Sequence, residues 1–530
     1  MQHDDLIVSA DCIHTFSVKG PRTVEALLVR RGRIAASGPL PELRRAAPHA
    51  PILDLAGTTI TPGLTDAHIH IVEWAFARRS VDLSGATSIA GAAAQVAAAE
   101  ATASGWLSGR GWNPHAWGGE YPDRATLDAV TGARPAAFQS HDMHALWVNS
   151  RALEIAGIDR DTPDPDGGRI VRDKNGEPAG VLLERAAELV TRRIPAPTDA
   201  ETRAAVLDAQ AALHAFGITG IHSFPNVQFS EPRPRRILEQ LRERDQLRLR
   251  VLQHLPLDEL EDTIRAGVRS GEGDDLIRTG ALKMFLDGAL GSRTAWMRRP
   301  YESSDSCGVR VMEPGDFREA VRIAAAAGIA CTTHAIGDAA VALAFDALTD
   351  PAAQAGTLPH RIEHVQCMPP EYFDHVGRSG IVCSMQPSHL VTDWRAADRH
   401  WGAERARMTY AFGALARAGA VFAFGSDAPV EPVDPRIGFF AAVERRDLDE
   451  QPEAGWFPEN TLPIDDVLLG YTRGPAIAAG ALDVQGSLAP GAFADFVAWS
   501  RDPLKTSGRD LLELRCRATL VGGAVVFQEG

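Results

Sequence analysis

Apolar and polar positions along the 530-residue chain follow two rhythms. Near the start, LIVSA, EALLVRRGRIAASG and APILDLAGTTI alternate apolar with polar residues and are broken by Gly or Pro. Successive side chains of a strand point to opposite faces, so this alternation predicts short, half-buried strands. The last fifty residues repeat the texture in GSLAPGAFADFVAWS and RATLVGGAVVF. Neither end holds enough apolar side chains for a core of its own. Residues 1–60 and 480–530 are therefore expected to pair into one composite β-sandwich domain.

Residues 61–479 read differently. Ala-rich helical stretches at 201–216, 316–328 and 338–348 each lie beside a short apolar run. Eight runs read as strands: LTDAHIH, ITGIHSF, LRLRVLQHL, ALKMFLDG, IACTTHAIGD, RIEHVQ, IVCSMQP and VFAFGSDAP. Eight strand–helix units in order predict an α/β fold, a TIM-like (β/α)8 barrel, for which ~250 residues or more is typical. The interval between the first two strands is too long for one helix. Residues from about 105 to 195, rich in Trp, Gly, Pro and Asp, are expected to form an insertion.

Composition narrows the function classes. A formal charge of −15, from 54 basic and 69 acidic residues, argues against nucleic-acid binding, which needs a basic footprint. No apolar stretch reaches the ~18–20 residues of a membrane span, and the opening MQHDDLIVSADCIHTF has no signal-peptide pattern. The six cysteines are widely spaced with no CxxC pair, as expected of reduced thiols in a cytoplasmic enzyme.

Barrel enzymes keep their active sites at the C-terminal strand ends, and ligand-type residues fall there. The first strand ends in His68-Ile69-His70, whose two imidazoles share a face. The fourth strand carries Lys283, the fifth ends at His334, the sixth at His364 and the eighth at Asp427. Each has an ordinary alternative: a hydrogen-bonded core histidine, a lysine ion pair, an aspartate capping a turn. His222 and His254, also in strands, are read that way. The joint placement of His, His, His and Asp at matching ends of separate strands is what points to a metal.

TPGLTDAHIH, Lys283, His334, His364 and GSDAPV resemble the amidohydrolase superfamily. LKMFLDGALGSRTAW, THAIGDAAV, RIEHVQ and SMQPSH are similar to its amidohydrolase 3 branch, the group resembling N-substituted formamide deformylases. The resemblance extends to the closing GSLAPGAFADFVAW and covers nearly the whole chain. It implies that His68 and His70 bind the more buried metal and that His334 and His364 bind a second. Lys283 would be carboxylated and bridge the two, and Asp427 would contact the buried metal and act as the catalytic proton shuttle. Imidazole and carboxylate donors suit Zn2+, one or two ions, with iron, manganese or nickel open. If Lys283 is a free amine, one metal on His68, His70 and Asp427 is expected, with His334 or His364 acting on the substrate.

The implied reaction is hydrolysis of a non-peptide C–N bond in a small amide, formamide or cyclic amide by metal-activated hydroxide. Deamination, C–O hydrolysis, decarboxylation and isomerisation share the scaffold, and a non-catalytic scaffold protein is a remote alternative. Candidate substrate-binding residues are His141, Asp142, His144 and Asn149 in QSHDMHALWVNSRAL, Glu184 in GVLLERA and Arg293 in GSRTAW. Trp74, Trp106, Trp112, Trp117 and Trp147 either wall a pocket or pack the insertion. Family members often form dimers, so a homodimer stays open, although no sequence feature shows one.

Overall fold

Short apolar runs bounded by Gly and Pro, alternating with helices, leave parallel pairing as the way to bury strands on both faces. In the computed structural model all eight runs take that form. It describes residues 5–530 apart from 19, 100–104, 118–120, 141–144, 167, 227–232, 303, 355 and 357. The strands are β1 (Leu64–Ile69), β2 (Ile218–Ser223), β3 (Arg250–Pro256), β4 (Ile277–Phe285), β5 (Cys331–Ala335), β6 (Arg361–His364), β7 (Val382–Met385) and β8 (Val421–Phe424). They form one parallel sheet in chain order. Its two edges meet just past the strand ends. The Asp427 N–H donates to the His68 carbonyl at 2.7 Å, and the His70 N–H donates to the Ala428 carbonyl at 3.0 Å.

Charge fills part of the barrel interior. Arg361, 1% exposed, donates to Glu363, to the Ala67 carbonyl at 2.7 Å, to Ser384 Oγ at 2.7 Å and to His222 Nδ1 at 2.8 Å. A buried guanidinium is tolerated only when its donors are matched in this way. The network also explains His222. Its Nδ1 is an acceptor for Arg361, so it is a core histidine as the sequence suggests.

The chain ends build one seven-stranded sheet. Its order is Ala524–Gln528, Cys516–Val521, Phe496–Trp499, Ile52–Pro62, Asp5–His14, Thr23–Arg30 and Arg33–Gly38. Val8, Leu27 and Ile60 from the first end share a buried cluster with Phe496, Ala518 and Leu520 from the last. This sheet and the barrel belong to one compact unit, Met1–Ile71 with most of the chain from Leu207 onward. The Arg250 guanidinium, on β3, grips both Asp495 carboxylate oxygens at 2.8 and 3.1 Å, next to the strand Phe496–Trp499. The end sheet, built from residues 5–62 and 496–528, and the barrel sheet are separate sheets within that unit.

A second unit covers mainly Val72–Val206, wider than the expected insertion of about 105–195. The helix Ile71–Ala77 leaves β1 directly, and its apolar run IVEWAFA has no punctuation to mark the departure. The unit has its own six-stranded sheet running from Gly168–Arg172 to Val81–Asp82. Trp112, Trp117 and Trp147 pack on one another in its core at centroid distances of 6.0–6.4 Å. Their indole N–H groups donate to the carbonyls of Phe138, Ala86 and Asp123. These tryptophans build a core, and their spacing in sequence follows from that.

Candidate metal centre

At the end of β1 the backbone presents His68 and His70 on one side. Both are buried, at 1% and 7% exposure. Asp66, two residues earlier, ties this end to β8. Its carboxylate accepts from the His68 N–H at 3.1 Å, the Ser426 N–H at 3.0 Å and Ser426 Oγ at 2.6 Å. Burial raises the Asp66 carboxyl to about 7 against those hydrogen bonds. Gly425 makes the approach feasible, because a Cβ there would sit 2.3 Å from the His68 nitrogen. Beyond it Asp427 takes φ +59°, and at the end of β6 His364 takes φ +73°. Non-glycine residues avoid this region, and each such strain costs roughly 1–3 kcal/mol where the surroundings impose it. Both turns place a ligand-type side chain at the barrel mouth.

The side chains converge. One Asp427 carboxylate oxygen lies 3.4 Å from His68 Nε2 and 3.5 Å from His70 Nε2. His68, His364 and Asp427 each offer a ligand atom within 4.8 Å of the others. The rings of His334 and His364 stand edge to face with centroids 4.5 Å apart.

The partner of each imidazole's other nitrogen sets its tautomer. His68 Nδ1 lies 2.6 Å from Glu363 Oε2, His70 Nδ1 2.9 Å from the Pro225 carbonyl, and His364 Nδ1 2.9 Å from Gln386 Oε1. These oxygens only accept, so the three Nδ1 atoms carry the protons; His68 and His364 then present Nε2 lone pairs toward a cation, and His70 Nε2 lies beside Asp427. His334 is reversed: its Nε2 donates to the Gly288 carbonyl at 3.0 Å, leaving Nδ1. Metal-ligating histidines are held in this way, with the second nitrogen bonded to a carboxylate or carbonyl.

Electrostatics agree with that arrangement. Burial pushes His68 down to about 4 and His334 down to about 3, and it holds His364 well below the usual range. All three are neutral donors near pH 7. Burial acts to raise the Asp427 carboxyl, whereas the hydrogen bond from His70 and any positive charge on His68, His364 or His389 act to lower it, and the balance lies well below the usual carboxylate range. Glu363 is likewise held ionised by Arg361 and His68 against burial. Lys283, 4% exposed, has its amine 4.6 Å from the ring centres of both Phe224 and Phe285. Burial lowers it to about 8.

The substrate candidates fare differently. His141, Asp142 and His144 lie outside the described residues. Asn149 calls for a correction. It is fully buried, and its carbonyl oxygen accepts from the N–H groups of Ala136 and Ala152 while its amide donates to Thr131 and the Arg134 carbonyl. It caps the helix Ser150–Ala156 and has no polar atom left for a ligand. Glu184 ends the strand Pro178–Glu184 in the second unit, exposed, with φ +51°. Arg293 is exposed in a turn after β4, with φ +57°.

Four residues of the site had no assigned role in the sequence: Glu363, Gln386, Asp66 and His389. The first three fix ligands. His389 Nε2 is buried with no hydrogen-bond partner among the described residues, 3.9 Å from Asp427 Oδ2. Glu363 sits beside His364 in RIEHVQ, and an acid buried in an apolar barrel strand was the available signal.

Comparison with known proteins agrees with this geometry. The Amidohydrolase family matches residues 52–527, and a bacterial imidazolonepropionase-like composite domain matches residues 26–50. YtcJ of Bacillus subtilis (strain 168) is 31% identical over 529 residues, 98% of each chain. The N-substituted formamide deformylase of Arthrobacter pascens is 28% identical, over 99% of each. An uncharacterized metal-dependent hydrolase from Pyrococcus horikoshii OT3 superposes with a TM-score of 0.80 at 26% identity, covering 95% of this chain and 99% of that one. With a family match across most of its length and a barrel of the same build, this chain belongs to the amidohydrolase family and is a hydrolase.

Proposed function

We propose that the chain is a metal-dependent hydrolase that cleaves a non-peptide C–N bond in a small amide, formamide or cyclic amide, with Asp427 as proton shuttle. The observation that carries this reading is the Asp427 carboxylate, one oxygen of which lies 3.4 Å from His68 Nε2 and 3.5 Å from His70 Nε2. His68, His70 and Asp427 would hold one cation, and Lys283 as a carbamate with His334 and His364 a second. Zinc suits such nitrogen and oxygen donors. When bound, the metal supplies water activation near neutral pH and polarisation of the scissile carbonyl.

The protein's own groups do the rest. Asp427 accepts a proton from the attacking water and returns it to the departing nitrogen, which needs a carboxylate ionised beforehand. Glu363, Pro225 and Gln386 keep the imidazoles oriented. The formamide class is drawn from the deformylase relative, whose name states its substrate. We also place the activity in the cytoplasm: the six cysteines are all unpaired, and no helix among the described residues is long and apolar enough to cross a membrane.

A panel of N-formyl amines, carboxamides and cyclic amides, run beside lactones and aminated heterocycles on zinc-loaded protein, tests the class. Turnover of an amide-type substrate is expected. Turnover confined to the lactones or to deamination would overturn the C–N assignment and leave the metal centre standing.

A further inference from the structure

A second set of ligand-type side chains meets in the end sheet. Cys12 and His14 lie two apart on the strand Asp5–His14, on the same side of it. Register slips just there, between Ala10 and Cys12 against Ile52–Pro62 and between Ser9 and Ile13 against Thr23–Arg30. Such a bulge re-aims the side chains around it. Asp502 arrives from the other end of the chain, just after the strand Phe496–Trp499. One of its oxygens caps the short turn Pro503–Lys505 by accepting from the Leu504 N–H at 3.1 Å.

Cys12 Sγ is 3.7 Å from His14 Nε2, and that same nitrogen is 3.0 Å from Asp502 Oδ1. The three ligand atoms lie within 4.8 Å of one another. A Cys–His–Asp catalytic relay needs the thiol and the carboxylate on opposite ring nitrogens. Here both face one nitrogen, so the three groups converge on a point. Tetrahedral zinc with ordinary Zn–S, Zn–N and Zn–O bonds has S···N and N···O edges of about 3.6 and 3.3 Å. The observed triangle is close to that before any ion is bound.

We infer that Cys12, His14 and Asp502 form a second metal site, separate from the barrel centre, for a borderline-soft divalent cation such as Zn2+. Sulfur and imidazole donors favour zinc, iron or cobalt and disfavour calcium and magnesium. The His14 and Asp502 side chains are 14% and 12% exposed, which leaves room for a fourth ligand from solvent. Lys505 is the competing cation, 3.3 Å from the other Asp502 oxygen. Its side chain is 80% exposed and can turn into water at little cost. A cation here would staple residue 12 to residue 502 and so join the two ends of the chain.

Cobalt reports on the site directly, because thiolate-to-cobalt charge transfer absorbs in the near ultraviolet and a centre of nitrogen and oxygen donors lacks it. Full-length protein stripped with chelator and reloaded with Co2+ should show this band. It should persist in His68→Ala and vanish in Cys12→Ser, which should also bind about one equivalent less metal than the parent. Asp502→Asn provides a second variant, with the band weakened or lost. Zn2+ should raise the melting temperature of the parent more than that of Cys12→Ser. Absence of the band, its persistence in Cys12→Ser, or equal metal content in the two proteins would overturn the inference.

Discussion

The Glu363 carboxylate lies 2.6 Å from His68 Nδ1, and both side chains are sealed from solvent. The contact fixes which nitrogen of His68 carries the proton and aims the other at Asp427. Glu363→Gln keeps the shape but removes the ionised acceptor. Metal affinity measured by chelator competition is expected to fall ~10–100-fold. The same change leaves Arg361 with an uncompensated buried charge, so urea denaturation should show a stability loss of about 3–5 kcal/mol. Parental affinity in this variant would remove Glu363 from its positioning role.

Asp427→Asn retains the side chain's size and the backbone bond to His68 but cannot take a proton. A fall in kcat/KM of at least ~10²–10⁴ is expected, with an unchanged circular dichroism spectrum and most of the metal still bound. Turnover within tenfold of the parent would exclude the shuttle.

Lys283 is a neutral amine more often than an exposed lysine because burial lowers it to about 8. Only the neutral amine reacts with CO2, so carboxylation should increase as pH rises through that value. Reconstitution with metal and bicarbonate is expected to carry the parent from about one to about two equivalents in the barrel, taking Cys12→Ser as background. Lys283→Arg stays cationic and should stop at one. Two equivalents in Lys283→Arg would show that the second metal needs no carbamate.

Asn149→Ala separates a helix cap from a substrate contact. Losing a buried cap and its four hydrogen bonds should cost about 1–3 kcal/mol in thermal or urea unfolding. The kcat/KM of the folded enzyme should stay within twofold of the parent's. A large drop in kcat/KM with stability intact would return Asn149 to the substrate side.

The barrel and its ligand-bearing ends were legible because position encodes them. Short apolar runs alternating with helices mark the barrel strands, and His68, His70, His334, His364 and Asp427 stand at or just past the ends of four of those runs. The supporting groups were less so. Glu363 and Asp66 look in sequence like any acid in an apolar run, and only the fold shows that their partners are His68, Arg361 and Ser426. Asn149 misled for a related reason. A polar residue before a helix can be a cap or a ligand contact, and the hydrogen bonds that decide come from Ala136, Thr131 and Arg134. The onset of the second unit at Val72 was hidden because an apolar helix follows β1 without Gly or Pro.

The closing bonds between the ends of β1 and β8 also bear on how this enzyme matures. Asp66 and Ser426, which buttress the two halves of the first metal site, stand 360 residues apart in the chain. So non-local a contact carries the loop-closure entropy of everything between, which slows its formation. A chain still emerging from the ribosome, or truncated before β8, would own His68 and His70 yet lack their carboxylate. A cation that needs Asp427 together with His68 and His70 would therefore be held only once the first and last strands of the ring have met.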